Sequence, residues 1–502
     1  MKKIVFLFAL LVVPLTLKAQ NKEALDQISK QYAQKTFPLL KSFLKIPNDA
    51  NDPLAYENNM LWSEEAFQKR DFKTTRIPTA GSPLLLSEKV IDPSLKTILF
   101  YMHVDGQPVD PDQWEQENPY VAVLKRQNKE GLWETLSWDL LKNYDDDWRI
   151  YARSTSDAKG PVVMFLAALD AINELNKKPN FNLKVIIDFE EELGSPNLPL
   201  AVVENKELLK ADNLVIFDGP QHSSNQPTLS FGARGIATIQ LTTYGPIVPQ
   251  HSGHFGNYVP NPALRLSRLL ASMKSDDGKV IIPGFYNGIN LDSETEKILK
   301  DTPFDKDAFM DAVQIAETDK VGSYYHESIQ YPSLNIRGMQ SGQINKNVRT
   351  IVPAWAKAEI DVRLVLESDP DRLLDLIKKH IEKQGYYVID RVPTKEERLI
   401  HPKIATYISK VSYQSFRTPF DSKIGVWLTK SMQRAFEKDP IRIRMSGGSI
   451  PISPFVRTLG VPAVAVPTVN PDNNQHSPNE NLRLGNYRDG IKTIIALLTE
   501  KL

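Results

Sequence analysis

The chain contains no cysteine, so no disulfide framework holds it together and its stability has to come from a packed core. A chain of 502 residues is long enough to supply one. Net charge is absent too: 61 Lys and Arg are balanced by 61 Asp and Glu. That balance leaves no basic footprint for nucleic acid and no pull toward an acidic membrane surface, so a polymer-binding role gets no support. The sequence shows no internal repeat and no low-complexity tract, which argues against a solenoid or a long disordered tail. It also lacks the run of about 20 apolar residues that a membrane-spanning helix needs.

The apolar stretch from Ile4 to Leu17 is shorter than that and is interrupted by Pro14. It follows Met1-Lys2-Lys3 and closes on Leu17-Lys18-Ala19 before Gln20. A short positive segment, an apolar run and a small residue suited to cleavage read as a secretory signal peptide over residues 1–19. With no cysteine after the run, lipid attachment is excluded. The expectation is a mature chain beginning near Gln20, exported to the periplasm or the medium, with no stable membrane anchor.

Three short apolar runs end in acidic residues or histidine: Thr97 to His103, Val185 to Glu190 and Leu214 to Asp218. They predict buried strands of a mostly parallel sheet. Between the first two, Gly160-Pro161 opens an apolar-periodic segment running to Asn176, which predicts a helix. Strand, helix, strand is the α/β pattern. From about Gly235 the texture changes. Ile236 to Tyr244 and Ala356 to Leu366 alternate as strands, Asn261-Pro262 opens a helix to Met273, and Asp369-Pro370 opens another that Gly385 stops. These two units predict a small α+β sandwich inserted into the main domain. Residues 275 to 345 between them carry no readable pattern. Pro462 to Pro467 is expected as a last core strand and Tyr487 to Leu502 as a closing helix. The expected division is a catalytic domain built from two segments, 20–234 and 393–502, with a lid over 235–392 between them.

Open α/β sheets bind ligands at the carboxyl ends of their strands, and that is where the chemistry-bearing residues cluster. His103 and Asp105 stand two apart after the first strand, so an extended backbone points both the same way. Asp157 lies in a polar turn just before the helix, Glu191 and Glu192 end another strand, Asp218 ends a third, and His476 sits in a loop near the C-terminus. Taken singly, each has an ordinary explanation: a hydrogen-bonded histidine, a helix cap, a solvated acidic pair. Each follows an apolar run, however, where an unpaired carboxylate is costly to bury. A metal ion offsets that cost, and nitrogen and oxygen ligands without thiolate suit zinc, with manganese or cobalt as substitutes.

The ordered motifs His103-Val104-Asp105, Tyr151 to Pro161, Glu191-Glu192-Leu193-Gly194-Ser195, Asp218, His251-Ser252-Gly253 and His476-Ser477-Pro478-Asn479-Glu480 resemble those of the zinc aminoacylase, carboxypeptidase G and carnosinase family. Within it they are similar to the cytosolic nonspecific dipeptidase, carnosinase-like branch. The supporting stretches are Ile282 to Tyr286, Pro332 to Ile336, Asp361-Val362-Arg363 and Gly447 to Pro451. The resemblance implies an α/β catalytic domain, with helices on both faces of its sheet, interrupted by a smaller ferredoxin-like lid through which a homodimer forms. It implies two divalent metal ions per subunit about 3.5 Å apart, bridged by Asp157, with His103 and Asp218 completing one site and Glu192 and His476 the other. Glu191 would be the general base, Asp105 would orient His103, and His251 would donate to the carbonyl oxygen, reaching into the partner subunit's site. Arg363 resembles an arginine that grips a substrate carboxylate; Gly447, Gly448 and Ser449 are either backbone donors to the substrate terminus or a turn.

One run and three single positions depart from the family pattern. The run before Asp157 reads Tyr151-Ala152-Arg153-Ser154-Thr155-Ser156 instead of glycine-rich, and Ala158 replaces a frequent aspartate. Ser446 stands where an acidic residue commonly precedes Gly-Gly-Ser-Ile-Pro, and Thr350 where carboxypeptidase relatives often have asparagine. Both are expected to line the substrate pocket, and Arg442 and Arg444 nearby point toward an acidic or N-blocked substrate. The expected function is hydrolysis of the amide bond of dipeptides, short peptides or amino-acid amides. The alternatives are an N-acyl amino-acid amidohydrolase or a C-terminal carboxypeptidase, which differ in the pocket, and a catalytically silent binding protein, which would not need all five ligands and the base.

Overall fold

The structure is a computed structural model that describes residues 21–502; the predicted signal segment lies outside the described residues. The larger of its two main sheets has eight strands. At its centre Thr97–His103 pairs in parallel with Asn182–Asp188 on one side and Asn213–Ile216 on the other. Ala463–Ala465 continues the parallel order beyond Asn213–Ile216. The edge towards the N-terminus is antiparallel, with Lys73–Ile77 against Leu84–Lys89 and the latter against Asn182–Asp188.

The strand alternation divides this sheet's side chains between two cores. Ile98, Phe100 and Met102 face one side, with Leu183, Val185 and Ile187, and meet the helices Lys22–Leu44, Lys159–Glu174, Lys423–Phe436 and Leu484–Thr499. Leu99 and Tyr101 face the other, with Ile186, Leu214 and Ile216, under the short helices Leu198–Glu204 and Ser453–Leu459. Both faces are covered, which is why these strands read as unbroken apolar runs instead of alternating ones. A fully buried side chain of this size contributes roughly 1.5–3 kcal/mol relative to exposure, so the central strands are the rigid part of the scaffold.

The second main sheet has five strands. Gly235–Tyr244 lies at its centre, antiparallel to Trp355–Leu364 and to Ile404–Tyr413, while Ser333–Gln340 pairs outside Trp355–Leu364. One face packs Ala237, Ile239 and Leu241 against Leu266 and Leu269 of helix Pro262–Ala271 and against Leu373, Ile377 and Ile381 of helix Pro370–Lys383. Apart from the short edge strand Tyr387–Ile389, which pairs in parallel with Ile404–Tyr413, the chain order strand, helix, strand, strand, helix, strand is the split βαβ arrangement of ferredoxin-like folds. The fourth strand of that core, Ile404–Tyr413, comes from residues beyond 392. The stretch without a sequence pattern folds into helices Ser293–Asp301, Lys306–Val313 and Tyr325–Ser328 before joining the edge strand Ser333–Gln340. These helices are four to nine residues long, too short to impose a helical period.

Candidate metal centre and active site

Parallel pairing sets the site. His103 is the last residue of its strand and lies level with Asp188 on the neighbouring one, so the turn after Asp188 emerges beside it. Asp188 is buried and accepts hydrogen bonds from the Tyr101 hydroxyl at 3.0 Å and the Ser195 hydroxyl at 2.6 Å. Those bonds fix the tight turn of Glu191–Leu193 between them. Asp218 follows the next strand over, two residues past Ile216. His476 reaches the same edge through a separate four-stranded sheet, in which Asn481–Arg483 pairs antiparallel with Arg149–Tyr151. The loops on either side of that pair, 152–157 and 474–480, are thereby brought together.

Asp157 sits at the middle. Its Oδ1 lies 3.0 Å from His103 Nε2, and its Oδ2 lies 3.0 Å from His476 Nε2. Asp218 Oδ1 is 3.6 Å from His103 Nε2, and Glu192 Oε2 is 3.2 Å from His476 Nε2. Two triads of convergent nitrogen and oxygen atoms result, His103 with Asp157 and Asp218, and Asp157 with Glu192 and His476. Asp105 stands behind them: its Oδ1 is 3.3 Å from His103 Nδ1 and its Oδ2 accepts the Glu192 amide at 2.8 Å. A carboxylate on Nδ1 selects the tautomer that leaves Nε2 free to ligate.

The electrostatics follow from crowding. Burial opposes a charge on His103, but the adjacent carboxylates of Asp105, Asp157 and Asp218 outweigh it and hold the imidazole well above its ordinary pKa. His476 is pushed up to about 10, chiefly by Asp157 and then Glu192. Asp157 is buried, which alone would raise its carboxyl, yet the two histidines hold it below the usual range. Glu191 behaves in the opposite way. Burial drives its carboxyl well above the usual range, His103 opposes this, and the nearby Asp218, Asp105 and Asp157 charges add to it. These carboxylates and imidazoles fit a pair of divalent cations on three grounds: hard oxygen and imidazole donors, no thiolate, and two central atoms, His103 Nε2 and Asp157 Oδ2, that are buried without a hydrogen bond.

One residue carries more than its place in a quoted motif suggested. The Glu480 carboxylate is fully buried. It accepts the backbone amides of Ser154 at 2.8 Å, Ser156 at 2.8 Å and Asp157 at 3.0 Å, together with Arg153 Nη1 at 2.9 Å. It therefore shapes the loop that presents Asp157. Its spacing, four residues past His476, was the only signal in the sequence. Ser154 and His476 hold positive φ angles of 62° and 61°. Left-handed backbone at residues other than glycine is uncommon and concentrates at functional sites.

The remaining predicted residues fall into two groups. Arg363 Nη1 donates to Ser449 Oγ at 2.9 Å, and its Nε is 3.4 Å from Asp361 Oδ2. Ser446 and Gly448 belong to the same turn, the Ser446 hydroxyl lying 3.5 Å from the Gly448 carbonyl. His251 and Thr350 form the other group, on a two-stranded ladder where His251 faces Ile351 and the Ser252 amide donates to Thr350 O at 3.1 Å. His251 is exposed, and its Nδ1 accepts only the Gly253 amide, at 3.0 Å. Among the described residues no hydrogen bond or ion pair joins this ladder to the carboxylate–histidine cluster. Arg444 Nη1 donates to Gln330 Oε1, and Arg442 lies 5.0 Å over the Phe420 ring.

A doubly wound sheet with two triads sharing one aspartate at its carboxyl edge defines a metal-dependent hydrolase. Residues 99–500 match the model of peptidase family M20/M25/M40, and the chain belongs to that family. It is thus a peptidase that uses divalent metal. It is 28% identical over 419 residues to a Cys-Gly metallodipeptidase of Candida albicans, covering 82% of this chain and 80% of that one. It is 26% identical over 487 residues to the Beta-Ala-His dipeptidase of Mus musculus, covering 92% of each. Among solved structures, an M20 family metallo-carboxypeptidase from Sulfolobus solfataricus superposes with a TM-score of 0.76 at 26% identity, over 93% of this chain and 98% of that one. These relatives correct one expectation. The N-terminal sequence reads as that of an exported, periplasmic or secreted product behind a signal peptide, and the similarity to the Cys-Gly metallodipeptidases of fungi and to the Beta-Ala-His dipeptidases speaks against that reading.

Proposed function

We propose that this chain hydrolyses the peptide bond of dipeptides bearing a free C-terminal carboxylate, with two divalent ions, zinc by preference, held by His103, Asp157, Asp218, Glu192 and His476. The observation that supports this most is the double use of Asp157, whose two oxygens each lie 3.0 Å from a different histidine. When bound, such a cation pair supplies Lewis acidity to the scissile carbonyl and acidifies a water. Glu191 belongs to neither triad and its side chain makes no hydrogen bond among the described residues, so it is free to take the proton of the attacking water and return it to the leaving amine. Asp105 and Glu480 hold His103 and Asp157 in position. Arg363 binds the substrate carboxylate, with Ser449 and the Gly448 backbone beside it.

His251 is assigned to the developing oxyanion, acting across a homodimer with Thr350 next to it. The surface around these two favours that assembly. Phe255, Tyr258, Ile344 and Val348 are exposed, and the edge strand Ser333–Gln340 leaves Asn335 to Gln340 exposed on the outside of the second sheet. A free edge of that length with apolar neighbours is covered in stable proteins. We also propose the domain division drawn from the sequence, with the lid's far boundary moved to Tyr413 because the fourth strand of its sheet ends there.

The test is a panel of Cys-Gly, β-Ala-His, Ala-Phe, Ala-Gly, N-acetyl amino acids and a pentapeptide, assayed with metal, after chelation and after metal is restored. Cleavage of free dipeptides ahead of N-acetyl amino acids, lost on chelation and absent in Glu191→Gln, is expected. Preferential release of the C-terminal residue from the pentapeptide would favour carboxypeptidase action, which the similarity to the Sulfolobus enzyme keeps as the second reading.

A further inference from the structure

The irregular helices between residues 274 and 334 enclose a cavity of about 770 Å³. Its walls include Tyr286, Phe304, Tyr325, His326 and Leu334, with the Phe304 and Tyr325 rings stacked at 4.5 Å. One charged side chain in this wall is built differently from the rest. Arg234 is only 8% exposed, donates from Nη2 to Tyr331 O at 2.8 Å, and its Nε has no hydrogen-bond partner. No carboxylate pairs with it among the described residues. A buried guanidinium without a counter-charge is costly, and burial, with Arg363 nearby, pulls its pKa down to about 10.

The cavity also borders the part of the site assigned to the substrate carboxylate. Ser333, in its wall, is the register partner of Arg363 on the neighbouring strand. The Tyr325 hydroxyl would lie 3.3 Å from a Cβ on Gly447, so the cavity wall and the Gly447 turn are in close contact. The Arg234 neighbour Ala233 bridges to Ser446 of the same turn. Resting on the function proposed above, we propose that this cavity takes the side chain of the substrate's C-terminal residue, and that Arg234 joins Arg363 in binding its carboxylate, selecting dipeptides that end in a large apolar or aromatic residue. The volume admits a large aromatic side chain together with its carboxylate, with room to spare. An anion between the two guanidiniums supplies the counter-charge that Arg234 lacks, while the apolar walls hold the ring.

Binding and turnover are measured separately. Calorimetry with the products L-phenylalanine and glycine is expected to give a Kd at least tenfold lower for phenylalanine, with the difference removed by Val321→Trp, which fills the cavity wall. Arg234→Met is expected to weaken both amino acids, and Arg234→Lys to recover part of the loss. In turnover, Val321→Trp is expected to lower the ratio of kcat/KM for Ala-Phe over Ala-Gly by tenfold or more. Circular dichroism melts of each variant separate misfolding from a lost pocket. Equal binding of phenylalanine and glycine by the unaltered chain overturns the proposal, whatever the turnover shows, as does discrimination that survives Val321→Trp. A chain that binds phenylalanine selectively but cleaves no dipeptide sinks the proposed function and leaves the pocket standing.

Discussion

The carboxylate–histidine cluster and the His251–Thr350 ladder are both assigned to one reaction, yet they are built in opposite ways. In the cluster each predicted ligand lies within 3.6 Å of another, and buried groups stand behind it: Asp105 behind His103, Glu480 behind the Asp157 loop, Asp188 behind the Glu191 turn. His251 and Thr350 at the ladder are exposed, and among the described residues the histidine has a single neighbour-amide partner. A site whose geometry is determined by its own chain can bind metal as a monomer. A group without such support acquires its position only from something added, which in the proposed homodimer is the second subunit.

The sharpest way to break the comparison is Glu191→Gln. If the cluster is the chemical centre, kcat falls by roughly 10²–10⁴ while metal content, read by plasma mass spectrometry, stays at the unaltered level; retained activity would move the base elsewhere. Next comes His251→Ala, expected to lower kcat by about 10² without changing metal content. Mixing it with Glu191→Gln subunits is expected to restore a fraction of the activity if the ladder serves the partner's cluster, and none if it serves its own. Glu480→Gln tests the support behind the cluster. It leaves Arg153 buried beside a neutral amide, which is expected to cost about 3–5 kcal/mol in denaturant unfolding and to weaken metal binding by about 10–100-fold. Glu480→Gln losing stability but no metal affinity would make it a purely structural residue.

The smallest effect belongs to the second unit. Glu397 accepts from Arg391 and the Thr394 amide in a capping box, and its pKa drops from 4.5 to about 2, with Arg391 the main cause. A depressed carboxylate binds fewer protons folded than unfolded, so its stabilisation is complete above about 4.5 and fades as pH falls towards about 2. Glu397→Gln should therefore lower Tm slightly at pH 7 and progressively less below pH 4.5.

What could be read from the sequence tracks the same contrast. The runs Ile98 to Met102 and Leu214 to Phe217 are apolar because both faces of their strands are covered, and His103 and Asp218, which follow those runs, are polar because ligands bind there. Fold class and the members of the cluster that follow strands, His103 and Asp218, were therefore legible together. Asp157 and His476 could be joined only through the resemblance, since the ladder that unites their loops, Asn481–Arg483 with Arg149–Tyr151, is three residues a side. The Glu480 role was hidden because its partners are backbone amides, which leave no trace in residue type. The helices between 293 and 328 were illegible because each is too short for a period to emerge, and Arg234 because an unpaired buried charge is visible only once its surroundings are known.

The most direct test of the central claim is titration of chelated protein with zinc while Ala-Gly hydrolysis is followed. The account predicts no activity without metal, saturation at about two equivalents per chain, and loss of both equivalents in Asp157→Ala. Activity that persists after chelation, or an Asp157→Ala protein that still binds two ions and turns over, would contradict it.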